Sequence, residues 1–394
     1  MRSQPVYLDN HATTRTDPTV VAAMVPYFTE LYGNSASVSH HFGWAAAEAV
    51  ERAREQVARS IGAEAREIVF TSGATESNNL AIKGLARASL RRGNHLVTAV
   101  SEHKAVLDPI KRLATQGWEI TIVPCDAEGR IPARAVADAL TDRTVLVSIM
   151  AANNEVGTIN PIAEIGRLCH ERGVVFHTDA AQAVGKVPLD VRSDGIDLLS
   201  LSAHKFYGPK GIGALYVRRR DPQVRLESLV DGGGHERGLR SGTVAVPLVV
   251  GLGLAAELAV RALPEEAPRI LELRERLHQG IASRIPNIRL NGPTGERLAG
   301  NLNLSFGDVD GEALMMAMRD VAVSSGSACS SANPEPSHVL LAMGLDEDQA
   351  RASLRFGLGR FTTADEIDLA IEAVAAAVTR LRRNRVAWGA QDGA

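Results

Sequence analysis

An α/β fold with a largely parallel sheet, covered on both faces, is the architecture that the sequence predicts. Three observations carry it. Short apolar, β-branched runs recur as EIVFTS, NHLVTAV, WEITIVP, TVLVSIM, VVFHTD, IDLLSLS and GIGALYV. Helical patterns such as AAAEAVERAREQVARS and AEIGRLCHERG lie between them, the rhythm of βαβ units. The runs themselves are near-continuously apolar rather than alternating, as strands buried on both faces must be.

The alternation extends over residues 45–260. GLGLAAELAVRAL then reads as a long helix stopped by Pro264 and Pro268, because proline removes a donor and clashes with the preceding turn. Beyond it the pattern changes to helix, two strands (NIRLNG and NLNLSFG), a helix (GEALMMAMRD), a polar segment and two further helices. This is expected to form a smaller α+β domain joined by the N-terminal arm. The expected division is 15–262 for the large domain, with 1–14 and 263–394 for the small one.

Charge is nearly balanced, with 43 Lys and Arg against 46 Asp and Glu. That argues against direct nucleic-acid binding and against a polybasic membrane patch. No run approaches about 20 continuous apolar residues, and the opening MRSQPVYLDNHATT has neither a signal core nor a transit pattern, so a cytoplasmic location and no membrane are expected. The three cysteines, Cys125, Cys169 and Cys329, share no metal or redox spacing. Cys125 and Cys169 read as structural. The pair His40–His41 lacks partners for a metal and reads as shaping its loop. The basic runs at 218–220 and 380–385 read as solvated element ends.

Three strand ends carry chemistry. In LLSLSAHKFYGPKG, Lys205 follows a core strand, where an ammonium is costly to bury. It is either a snorkelling surface residue or an amine able to form a Schiff base. In VVFHTDAAQAVG, Asp179 closes another strand, as a helix cap or as the acid partner of a pyridinium nitrogen. In EIVFTSGATESNN, small residues run into a helix whose N-terminus could hold a phosphate or carry an ordinary cap. Together, each at a strand end where open α/β sheets bind ligands, they point to a pyridoxal 5′-phosphate (PLP) site.

With YLDNHATT, SEHKAV, NNEVGTINPI, HTDAAQAVGK, SAHKFYGPKG, GGGHERGLRSGT, AVSSGSAC, EPSHVL and RFGLGRFTT in this order, the sequence resembles the cysteine desulfurases, the NifS/IscS branch of the fold-type I PLP enzymes. The resemblance implies a central seven-stranded sheet, a homodimer and conversion of L-cysteine to L-alanine. Residue by residue, it makes Lys205 the Schiff-base lysine and proton shuttle, Asp179 the partner of the ring nitrogen and Gln182 that of the phenolic oxygen. His103 becomes the stacking and acid–base histidine. Ala74, Thr75, Ser202 and His204 become phosphate contacts, and Thr243 a phosphate contact given to the partner subunit. Asn154 lies by cofactor and substrate, and Arg355 clamps the substrate carboxylate.

Cys329, in SSGSACSSANPEPSH (residues 324–338), sits among Ser, Gly and Ala, poor company for a core cysteine. The resemblance makes it the thiol that takes the sulfur as a persulfide, and a transient iron–sulfur ligand rather than part of a permanent metal site. It also implies delivery to an iron–sulfur scaffold or another acceptor, and the segment is similar to the long-loop branch. Two departures stand out: Asn10–His11 before ATT, and Ser35 where the branch usually has proline. Simple β-elimination, selenocysteine lysis and a weakly active assembly partner are the rival readings.

Overall fold

The computed structural model describes residues 4–325 and 335–389. Its strands are β1 (Val6–Tyr7), β2 (Ile68–Thr71), β3 (His95–Ala99), β4 (Glu119–Val123), β5 (Thr144–Ser148), β6 (Val175–Asp179), β7 (Leu198–Ser202), β8 (Gly213–Val217), β9 (Ile288–Leu290), β10 (Asn301–Phe306), β11 (Val321–Ala322) and β12 (Ser353–Gly357). The seven apolar runs of the sequence are β2 to β8, and they form one sheet in the order β2-β8-β7-β6-β5-β3-β4. β8 is antiparallel to both its neighbours, and the other pairings are parallel. Six strands therefore point the same way, and their carboxyl ends share one edge.

Both faces of this sheet are buried except along the edge strand β4, with the period of two expected of strands. Val97, Ala99, Leu199 and Leu201 join a core covered by helices His41–Ser60, Ile162–Glu171 and the start of Val246–Ala282. Leu96, Leu146 and Leu198 point the other way, under Leu80, Ile82, Val106, Ile110 and Leu113. A separate core lies under the three-stranded sheet β12-β10-β9. It joins Leu302, Leu304, Leu354 and Phe356 to Val6 and Leu8 of the arm and to Ile367 and Val374 of the last helix.

The helix Val246–Ala282 corrects a sequence expectation, since it runs through Pro264 and Pro268 without stopping. Each proline costs about 3 kcal/mol inside a helix. Both are exposed, and the two carbonyls that they leave without a helical donor, at positions 260 and 264, belong to exposed residues. Val249, Leu252 and Ala256 at one end and Ile270, Leu273 and Leu277 at the other are packed into different cores. Burial at both ends outweighs the break in the middle. The helix is long and apolar enough, by length and composition, to cross a membrane, yet these apolar residues are spent on the two cores.

Three further details differ from the sequence reading. β11 and β12 are strands that the sequence pattern does not announce, β11 pairing with β1 and β12 with β10. Arg218, expected to be solvated, is buried; it pairs with Asp197 at 2.9 Å and donates to the Ile196 and Val191 carbonyls. His40 does more than shape its loop, because its Nδ1 accepts from the Gly43 amide and caps helix His41–Ser60.

Candidate active site

A cavity of about 950 Å³ opens at the shared carboxyl edge of the six parallel strands. It is lined by Lys205, Asp179, Gln182, His103, Asn154 and Arg355, with Ala74, Thr75, Ser202 and His204 at one end. Twelve residues are expected to build the site from the sequence. Ten of them line this one cavity, Thr243 lies outside it on an exposed stretch, and Cys329 falls outside the described residues.

The cradle at the end of β2 depends on a close approach. Gly213, the first residue of β8, pairs with Thr71 on one side and Ser202 on the other. A Cβ at Gly213 would stand 2.4 Å from the Leu201 carbonyl oxygen and 2.7 Å from Gly73 Cα, so only glycine lets the Gly73 turn lie against the sheet beside Ser202. Helix Ala74–Asn79 starts there with no side-chain cap. The expected alternative, a cap by Thr75, is not what the turn uses: Glu76 instead accepts from the Ser72 amide at 2.7 Å and pairs with Arg240 at 2.9 Å. The first amides of the helix thus have no side-chain acceptor, which is what an anion site requires.

Asp179 ends β6 without capping a helix. Its Oδ1 accepts from the Ala181 amide at 3.0 Å and its Oδ2 from Asn78 Nδ2 at 2.7 Å. Lys205 sits in the short helical turn Ala203–Lys205 after β7. Its Nζ donates to the carbonyls of His11 (2.7 Å) and Ala12 (2.8 Å). Thr14 clamps the same turn, its amide and hydroxyl both donating to the His204 carbonyl. The N-terminal arm is therefore a wall of the site.

His103 follows β3 and caps helix Lys104–Ala114, its Nδ1 accepting from the Ala105 amide at 3.0 Å. That contact leaves Nε2 as the nitrogen free to act. Burial pushes the ring below its ordinary pKa, Asp179 opposes this, and Lys205 and His338 reinforce it. Burial, with Lys205 and Lys210 close by, drives His204 to about 4. Both rings are neutral at pH 7.

Arg355 projects from the middle of β12, is almost wholly buried, and holds Asp9 Oδ1 at 2.9 Å and the Asn154 carbonyl at 3.0 Å. Its Nε is buried with no partner, a fixed donor suited to a carboxylate. Asn10 and His11 occupy defined places: Asn10 Nδ2 donates to the Gly357 carbonyl at 2.8 Å, and His11 lines the cavity. Ser35, the other departure from the family pattern, is not part of this lining.

Three residues that sequence reasoning passes over lie inside motifs that it singles out. Glu155 lines the cavity and is pushed up to about 7 by burial, against the bond it accepts from Ser337. Glu102, fully buried, accepts from the Met150 amide at 2.6 Å. Its main-chain carbonyl accepts from Nε2 of His338, a lining residue, at 3.0 Å. Glutamates in SEHKAV and NNEVG beside apolar strands are the available signal. Among the described residues no cluster of His, Cys, Asp and Glu could hold a metal. Cys169 is buried and its thiol pushed far up by burial, and half-buried Cys125 is raised for the same reason, so neither is a ready thiolate.

The donor set fits PLP: an amine, a carboxylate for a ring nitrogen, and hydroxyl, imidazole and helix amides grouped for a phosphate. Comparison with known proteins agrees. The model of the class-V aminotransferases matches residues 6–369. Cysteine desulfurase IscS of Anaeromyxobacter dehalogenans is 58% identical over 96% of this chain and 93% of its own length. The probable mitochondrial cysteine desulfurase of Dictyostelium discoideum is 52% identical over 98% of this chain and 85% of its own. Among solved structures, a NifS-like protein superposes with a TM-score of 0.89 at 37% identity, over 96% of this chain and all of that one. DndA of Streptomyces lividans does so at 0.76 and 42% identity, over 89% and 99%. This chain belongs to the class-V aminotransferase family and, within it, to the PLP-dependent cysteine desulfurases.

Proposed function

We propose that the chain takes sulfur from L-cysteine, leaves L-alanine, and holds the sulfur on Cys329 for delivery to an iron–sulfur scaffold or, for thiolation of tRNA, another acceptor protein. The observation that carries this reading is the convergence of Lys205, Asp179 and His103 from three strand ends on one cavity with Arg355.

PLP, when bound, supplies an electron sink for charge developing at the substrate Cα. Asp179 is the group to hold a proton on the ring nitrogen, and Gln182 the one to donate to the phenolic oxygen. Ala74, Thr75, Ser202 and His204 would take the phosphate. Arg355 holds the substrate carboxylate, with Asn154 beside it. The Lys205 amine removes the Cα proton and returns it. His103, neutral with Nε2 free, is placed to serve as acid or base near the substrate thiol. The Cys329 thiolate attacks the substrate sulfur. The Cβ–S bond breaks, an S–S bond forms, and Cβ gains a hydrogen to become the methyl group of alanine. The substrate carbon is reduced by two electrons as the two sulfurs become a persulfide.

The reading includes a homodimer. Phe28, Tyr32, Val38, Phe42 and Trp44 are all exposed, Val38 at 83%, and the Tyr32 and Phe42 rings lie 5.3 Å apart. An apolar patch of this kind marks an interaction surface. Thr243 follows a segment fastened by Glu236, which grips Arg54 at 2.7 and 2.9 Å and accepts from the Phe70 amide, so an exposed loop is held in a fixed place. We take residues 15–262 as the large domain and 1–14 with 263–394 as the small one. We place the protein in the cytoplasm, where thiols stay reduced. Replacing Cys329 by Ala tests the reading against simple elimination. Sulfur mobilisation at the parent rate would contradict it.

A further inference from the structure

His11, part of the Asn10–His11 departure in the arm, is bound up with Gln182 rather than idle. Gln182 Nε2 donates to the His11 carbonyl at 2.8 Å, while Gln182 Oε1 receives Lys186 Nζ at 2.8 Å and lies 3.0 Å from His11 Nδ1. The bond to the His11 carbonyl fixes which way the amide points. Turned over, it would set its oxygen against the His11 carbonyl. With Oε1 as acceptor, His11 Nδ1 must carry the proton. The amide oxygen is thus held by two donors on the side away from its nitrogen, and the nitrogen keeps one N–H beyond the bond to His11. Gln182 is nearly fully buried and lines the cavity.

We infer that His11 and Lys186 are positioning residues, which lock the Gln182 amide so that its remaining N–H donates to the phenolic oxygen of the cofactor. The inference rests on the assignment of Gln182 in the proposed function and deepens it. A donor at that oxygen favours its anionic form, whereas a turned amide would present an oxygen and disfavour it. His11 is neutral at pH 7, because burial, with Lys186 and Arg355 near, holds it well below its ordinary pKa. Removing it therefore removes a hydrogen-bond donor and not a charge. Lys205 and Arg355 are charges around it that a change at His11 does not alter, and Lys186, lowered to about 7 by burial and by those two charges, is an ammonium only below that pH.

The test is the pH midpoint of the bound cofactor's absorbance in the purified holoenzyme. Gln182→Ala is expected to raise the midpoint by about one pH unit. His11→Ala should raise it in the same direction by a smaller amount. His11→Asn, which can return an N–H donor to the same place, should stay near the parent. In the Gln182→Ala background, His11→Ala should add nothing. The inference is overturned if His11→Ala leaves the midpoint unmoved, or moves it equally with and without Gln182. If Gln182→Ala itself has no effect, the assignment beneath it falls as well. Should His11→Ala not fold, Lys186→Met gives the second reading. Its charge effect persists in both backgrounds and its bond to Gln182 in only one, so a shift no larger with Gln182 present is equally contradictory.

Discussion

The two walls of the cavity are built on different plans. One is made of strand ends: Asp179 at the end of β6, Lys205 after β7, His103 after β3 and the Gly73 turn after β2. The other offers Arg355 from the middle of β12, in the small sheet. The arm at residues 9–14 joins them, taking Lys205 on the His11 and Ala12 carbonyls and Arg355 on Asp9. The cofactor wall is one rigid edge, while the substrate wall belongs to another core and meets the first across the arm. Changes on the two walls should therefore fail differently.

The largest effect falls on the first wall. Lys205→Ala should lower desulfuration by at least about 10³-fold, the scale of losing a positioned acid–base group. It should also abolish the yellow absorbance of lysine-linked cofactor, read in a spectrophotometer. On the second wall, Arg355→Ala should raise KM for L-cysteine about 100-fold, near 3 kcal/mol for a charge-assisted carboxylate contact. The cofactor spectrum without substrate should stay unchanged. Equal damage to both readouts by both variants would erase the distinction.

That difference also decides what the sequence can disclose. A lysine, an aspartate or a Gly–Ala–Thr turn after an apolar run is visible because the chemistry interrupts a pattern. Arg355 interrupts no apolar run: it takes a polar place in the alternation of SLRFG, which is too short to mark out a buried arginine. Its place comes only from resemblance of the motif to a family. Helix Val246–Ala282 escapes the sequence for a related reason: proline reports local cost, whereas the packing of two distant cores on one helix is not local. Glu102 and Glu155 are signalled only by their place beside apolar strands, and that place does not say whether a carboxylate is buried. The hold of Lys186 on Gln182, four residues apart, is within reach of helical spacing, but that of His11 requires the fold.

Smaller effects probe the supports. Glu236→Gln should cost about 3 kcal/mol in urea unfolding, because Arg54 is left as a buried charge with a weakened partner. A loss below about 0.5 kcal/mol, the level of an exposed pair, would mean that the pair does not anchor the 232–243 segment. Buried His177, between Ser148 and Ser200, is held at about 4 by burial. Its folded pKa lies below the unfolded value of about 6.5, so its support is complete above that pH and is lost as pH falls. At about pH 4 the loss is roughly 3 kcal/mol, and His177→Asn should flatten that part of the stability–pH curve. Thr243→Ala should weaken PLP retention several-fold in the dimer and leave the unfolding midpoint of cofactor-free protein unchanged. Unaltered retention would remove Thr243 from the partner's site.

The most direct measurement of the central claim is mass spectrometry of the PLP-loaded protein after addition of L-cysteine, following the small-molecule product and the Cys329 peptide together. The account predicts alanine and a gain of one sulfur atom on that peptide. Pyruvate with an unmodified Cys329 peptide would show β-elimination and would contradict it.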